Sequence, residues 1–271
     1  MTFQGVHHFV YAVKDIKATV DDYVRIFDID RPIISEDRRG FHITNIKLGT
    51  LSFITCEDRS ENPNGWFSRF MKRKGEGIWS IATMATERDS IVARLVARDI
   101  QIITEKYPGG NIFFFPHPKS TRGVYWEFIG EREGPPFNPS ATKGWVKGLS
   151  HVGHAVFSIE AAVAMYSDLF GLRPCLRGII PMNDIRARSL LLPIAENENL
   201  ELLEPMDNQS PIAKWLEENG EGFHHVGLQV DNALAALNRL KDKGMKVNSG
   251  VLGGSCWIEP GDAHGVRYEL G

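Results

Sequence analysis

The sequence is poor in cysteine, in long apolar runs and in any excess of one charge. Only three cysteines, Cys56, Cys175 and Cys256, occur in 271 residues, and their spacing matches neither a disulfide framework nor a zinc knuckle. A reduced, cytoplasmic setting is the default expectation. No apolar run approaches the roughly 18 residues that span a bilayer, so no membrane partner is expected. The start, MTFQGVHHFV, lacks the basic segment and long apolar core of a signal peptide. A formal charge of -3 builds no field for nucleic acid. What remains is an ordinary globular profile, 42% hydrophobic and 24% charged, with length for about two domains.

What is present is repetition. GVHHFVYAV at 5–13 matches GLSHVGHAV at 148–156, GEGIWS at 75–80 matches GEGFHH at 220–225, and GVYWEF at 123–128 matches GVRYEL at 265–270. A period this long indicates duplication of a whole domain. Residues 131–144, EREGPPFNPSATKG, are rich in Pro, Gly and polar residues and lack periodicity, so they are expected to form a linker between domains 1–130 and 145–271. Each half is itself double. In the second half, HVGHAV and HHVGLQV are short strands that lead into amphipathic helices. One is SIEAAVAMYSDLFGL, with Ser158 as N-cap and Gly171 past its end; the other is DNALAALNRLKDKG, capped by Asp231 and stopped by Gly244. Short strand-like runs follow each helix. The unit is strand, helix and about three strands, written four times.

Strand parity brings out a constellation, because alternate side chains point to opposite faces. His225, Gly227 and Gln229 share one face of HHVGLQV, and His151, Gly153 and Ala155 share one face of SHVGHAV. Glu201 faces away from Leu200 and Leu202, and Glu269 away from Tyr268 and Leu270. His151, Glu201, His225 and Glu269 thus line one side of one sheet. Two imidazoles and two carboxylates suit a divalent Zn, Mn, Fe, Co or Ni ion, and an octahedral ion keeps two positions open for substrate. His154 and His224 fall on the apolar parity and are expected to pack. Arg186 and Arg188 share parity, as do Arg267 and Glu269. With Gln229, these arginines are the candidate contacts for an anionic substrate, since the guanidinium fork suits carboxylate or phosphate. GWFSRFMKRKGE (65–76) and SPIAKWLEENGEG read as equivalent amphipathic helices, and the glycines of GVLGGSCW as a flap or a hairpin turn.

These modules, the HHV and ELLEP segments and the closing GVRYEL resemble the vicinal oxygen chelate superfamily of glyoxalases, bleomycin-resistance proteins and extradiol dioxygenases. ENLELLEPMDNQSPIAKWLEENGEGFHHVGLQVDN and FFFPHPKSTRGVYWEF are most similar to the methylmalonyl-CoA epimerases. The resemblance implies an α+β fold of four βαβββ modules in two tandem domains. Each would be a curved mixed sheet forming an open half-barrel with helices outside. It places metal ligands on His151, Glu201, His225 and Glu269. In the first half the same places read His8, Ser52, Ser80 and Glu127, so a degenerate site is expected there.

The chemistry implied is metal-dependent stabilisation of an enolate from an anionic carbonyl substrate, acyl-CoA or keto acid in type, in an epimerase, glyoxalase or lyase. Glu201 or Glu269 would act as base. The alternatives are an Fe(II) extradiol-type dioxygenase using His151, His225 and Glu269, and a small-molecule binding or resistance protein. A fourth ligand at Glu201 argues against oxygen chemistry, and the intact set argues against a mere binder. A small molecule is the expected partner; a homodimer is admitted but not required.

Overall fold

The structure, a computed structural model, describes residues 2–37, 40–60, 62, 64–106, 112–130, 143–249 and 255–271. Most of the expected linker and most of the Gly-rich flap (250–254) lie outside the described residues.

The first half runs β1 (Phe3–Ala12), α1 (Ile16–Phe27), β2 (Ser35–Glu36), β3 (Phe41–Leu48), β4 (Leu51–Asp58), α2 (Trp66–Lys74), β5 (Gly77–Ala85), α3 (Arg88–Val96), β6 (Ile102–Lys106), β7 (Ile112–Pro116) and β8 (Tyr125–Gly130). The second runs β9 (Val146–Ala155), α4 (Ile159–Phe170), β10 (Ile180–Met182), β11 (Ala187–Ala195), β12 (Glu198–Pro205), α5 (Pro211–Asn219), β13 (Gly222–Val230), α6 (Ala233–Asp242), β14 (Val247–Ser249), β15 (Cys256–Ile258) and β16 (Tyr268–Leu270). Two open mixed sheets result, ordered β2-β3-β4-β1-β5-β8 and β10-β11-β12-β9-β13-β16-β15-β14, with β6 and β7 paired apart. Among the described residues no helix is long and apolar enough to cross a membrane.

Local chemistry sets the helix ends. Ser158 caps α4 by accepting from the Ala161 N–H, and Gly171 ends it at φ 72. The cap of α6 is Asn232, which accepts from the Ala235 N–H at 2.9 Å; the expected Asp231 instead pairs with Lys147. The first N–H of α1 donates to Glu57 at 3.2 Å, and that of α4 to Glu204 at 2.8 Å. These carboxylates compensate the unpaired donors and positive dipole end of each helix.

Contacts divide the chain into two compact units, each made of segments from both halves. One contains residues 1–7, 80–137 and 151–224; the other contains 8–79, 138–150 and 225–271. In the first, Trp126 packs on Tyr166 at 5.8 Å and Phe128 on Phe170 at 4.9 Å between ring centroids. In the second, the Tyr23 and Tyr268 hydroxyls meet at 2.7 Å, and the Tyr11 hydroxyl donates to the Ala263 carbonyl at 2.9 Å. Each such buried aromatic contributes about 1.5–3 kcal/mol by leaving water.

The Gly-Glu-Gly segments have a structural purpose in both units. In the first, Glu221 accepts from Arg122 Nη1 at 2.7 Å and from the Phe157 N–H at 3.0 Å. A Cβ on Gly123, at φ 83, would stand 1.9 Å from the Glu221 carbonyl oxygen. In the second, Glu76 accepts from the Lys14 N–H at 2.8 Å, and a Cβ on Gly265, at φ 87, would stand 2.0 Å from the Glu76 carbonyl oxygen. GEG therefore persists in the half without the histidine because it seats a loop.

Candidate metal centre

The candidate donors stand on β9, β12, β13 and β16. β12 pairs in parallel with β9 so that Glu201 lies opposite Gly153, and β16 pairs with β13 so that Glu269 lies opposite Gly227. A glycine across from each carboxylate leaves space that a side chain would fill. His151 Nε2 lies 3.7 Å from Glu201 Oε2, and His225 Nε2 lies 3.5 Å from Glu269 Oε2. His225 is buried, with 1% of its side chain exposed, against 21% for Glu269. The edge-on ring of Trp257, 4.9 Å from His225 between centroids, helps fix the imidazole plane.

His151, His225 and Glu269 each offer a donor atom, and the three atoms lie within 4.8 Å of one another. Donors about 2.1 Å from a shared ion stand about 3–4 Å apart, so two imidazoles and a carboxylate at this spacing fit a divalent transition-metal ion. Glu201 reaches towards His151 from β12. Its Oε1 accepts from Ser189 Oγ at 2.6 Å, while its Oε2 is the atom turned towards His151.

The other candidates are placed differently. Arg186 is paired with Asp207, its Nε donating at 2.8 and 3.0 Å. Arg188 pairs with Glu204 at 2.6 Å and Glu160 at 3.4 Å. In the β11–β12 register Leu191 lies opposite Glu201 and Arg188 opposite Glu204, which puts Arg188 on the other face of the sheet from Glu201. Arg267 shares its face with Glu269 and donates to Glu259 at 2.8 Å. Gln229 is exposed. His224 packs edge-on against Trp215 at 5.4 Å between centroids. His154 is fully buried between the Tyr166 hydroxyl at 2.9 Å and the Arg122 carbonyl at 3.0 Å. That carbonyl only accepts, so Nε2 carries the proton and Nδ1 accepts from Tyr166. Burial lowers the His154 pKa to about 4 and raises the Cys256 thiol to about 11, so neither is charged at neutral pH.

The first half departs from the expected correspondence at one place. Gly153 corresponds to Val10, and Val10 lies opposite Ile54, so the counterpart of Glu201 is Ile54 rather than Ser52. Ile54 packs with Val10, Phe41, Ile43, Phe70 and Met71 around buried Phe67. An apolar cluster beneath α2 replaces the carboxylate. Ser80, at the place of His225, is fully buried, and Glu127 is 3% exposed. Among the described residues no grouping like that of the second half occurs here.

Sequence reasoning missed Ser189 and Trp257. Counting outward from the Glu196–Asn197 turn pairs β11 and β12 without the shift between Pro193 and Ala195, where Ile194 is the extra residue. Such a bulge turns every later side chain to the opposite face, which brings Ser189 to Glu201 and takes Arg188 away.

Residues 5–128 and 150–256 each match a family model of the Glyoxalase/Bleomycin resistance protein/Dioxygenase superfamily. The ethylmalonyl-CoA/methylmalonyl-CoA epimerase of Cereibacter sphaeroides is 38% identical over 100 residues, covering 36% of this chain and 72% of that protein. The mitochondrial methylmalonyl-CoA epimerase of Bos taurus is 33% identical over 141 residues, 49% of this chain and 79% of that one. A solved mutant of 4-hydroxymandelate synthase from Streptomyces coelicolor superposes with a TM-score of 0.77 over 100% of this chain and 92% of its own. At 15% identity, that likeness shows the fold alone.

Proposed function

Since the chain belongs to the Glyoxalase/Bleomycin resistance protein/Dioxygenase superfamily, in duplicated form, we propose that its second half is a metal-dependent enzyme of epimerase or glyoxalase type. Its substrate is an anionic carbonyl compound, an acyl-CoA or keto acid. The observation that carries this reading is the grouping of His151, His225 and Glu269, with Glu201 beside His151.

His151, His225 and Glu269 would hold the divalent ion. When bound, it supplies Lewis-acid polarisation of the substrate carbonyl and offsets negative charge on its oxygen. Glu201 Oε2 takes the proton from the carbon next to that carbonyl. Trp257 excludes water on the His225 side. Arg267 meets the anionic group of the substrate in exchange for Glu259, a charge-assisted pair of the same kind. The likeness to the epimerases supports this assignment over a simple binder.

A second reading, an Fe(II) dioxygenase, is favoured by the same three residues, because two histidines and one carboxylate are the donor set of that chemistry. Incubation with methylmalonyl-CoA or a 2-keto acid in deuterated water separates the two. Solvent deuterium is expected at the carbon beside the carbonyl, with exchange at least about 100-fold slower in Glu201→Ala. Oxygen uptake with a catechol and no deuterium exchange would overturn the isomerase-type reading.

A further inference from the structure

We propose that His264 is a proton-dependent clasp, which seats the turn before β16 on α1 and on the Gly-Glu-Gly segment of the same unit and loosens that seat when it loses its charge.

The turn at Pro260–Asp262 leads through His264 and Gly265 into β16. His264 holds a left-handed backbone at φ 50, which persists in a non-glycine residue only where its surroundings support it. Its carbonyl accepts from the Tyr11 hydroxyl at 2.8 Å. Its Nε2 lies 3.0 Å from Asp22 Oδ2 on α1, and its Nδ1 lies 3.8 Å from Glu76 Oε1. Both ring nitrogens therefore face carboxylates. Only the imidazolium carries a proton on each nitrogen; the neutral ring has one N–H and turns a lone pair towards the other acid.

The groups that meet the ring keep fixed charge while histidine changes its own. Partial burial opposes ionisation of Asp22, but the bonds from Arg25 and His264 outweigh it and hold that carboxyl below its usual range. Arg25 Nη2 sits on Asp22 Oδ1 at 2.9 Å, and Oδ2 is the atom that meets His264. Glu76 Oε1 also accepts from the Lys14 N–H at 2.8 Å. Burial holds the Tyr11 hydroxyl well above its ordinary range, so it stays neutral.

The other unit carries the same device without the proton. Arg122 stands in the equivalent place before Gly123, at φ 53, and its Nη1 donates to Glu221 at 2.7 Å. A guanidinium keeps its charge throughout the range in which histidine loses its own. Duplication has thus left one anchor with a permanent cation and the other with a titratable one.

Amide hydrogen exchange of the purified protein, corrected for intrinsic rates, tests the clasp between about pH 5.5 and 8. The probes are the Ala263, Gly265 and Val266 amides, each bonded within the turn; the Thr121, Gly123 and Val124 amides, bonded in the same pattern, are the internal reference. Relative to that reference, protection of the probes is expected to fall about fivefold as pH rises across the range. In His264→Arg it is expected to stay high at both ends, and in His264→Gln low at both ends. A wild-type ratio that does not change with pH overturns the clasp, as does an equal fall in His264→Arg. Because wild type carries its own reference, a variant that does not fold leaves the outcome readable.

Discussion

Glu198 and His154 flank the site along β12 and β9 and titrate with opposite consequences for stability. Burial raises the Glu198 carboxyl to about 7, only partly offset by the Val6 N–H that donates to it at 2.7 Å. Between about pH 4.5 and 7 the folded chain holds a proton that the unfolded chain has released, so stability falls as pH rises through that window, by about 3 kcal/mol at most. His154 behaves the other way. Its folded pKa of about 4 lies below the unfolded value, so its contribution is present above about 6.5 and is lost as pH falls towards 4. In Glu198→Gln, urea midpoints are expected to lose the decline between pH 5 and 7 and to reveal the acid-side loss due to His154. Equal pH slopes in wild type and variant would contradict the assignment. His154 also shows what single residues disclose: its place on the apolar face of HVGHAV was enough to expect packing. Of the two groups that bond it, Tyr166 stands on the helix that follows, whereas Arg122 comes from the other half of the chain, and nothing local in the sequence points to that carbonyl.

At the level of elements, the helices and most strands were legible because their periodicities and caps are local. α4 begins after Ser158 and ends before Gly171, as its sequence indicates. Register was less legible. One extra residue, Ile194, decides whether Arg188 or Ser189 shares a face with Glu201, and a bulge has no reliable local signature. The paired loops at Gly123 and Gly265 were equally hidden, since the backbone each approaches belongs to a distant segment. Gly123→Ala is expected to destabilise by more than about 2 kcal/mol, because positive φ adds to overlap with a carbonyl oxygen. Gly178, at φ 66 with nothing within 4 Å of an added Cβ, provides the control, with a cost of about 1 kcal/mol for Gly178→Ala. Thermal unfolding of the two variants reads the difference, and equal losses would contradict the close-approach argument.

Across the whole molecule, duplication kept the modules and changed what they carry. Both halves retain the GEG anchors, the carboxylate at the first turn of α1 and α4, and the paired central strands. Among the described residues only the second retains two imidazoles and a carboxylate at ligand spacing, while Ile54 and its apolar neighbours fill the corresponding place in the first. The central claim is one divalent ion per chain, held by the second half. Metal analysis of the purified protein beside His225→Ala and His8→Ala tests it most directly. About one ion per chain is expected in wild type and in His8→Ala, and almost none in His225→Ala; undiminished metal in His225→Ala would contradict the account.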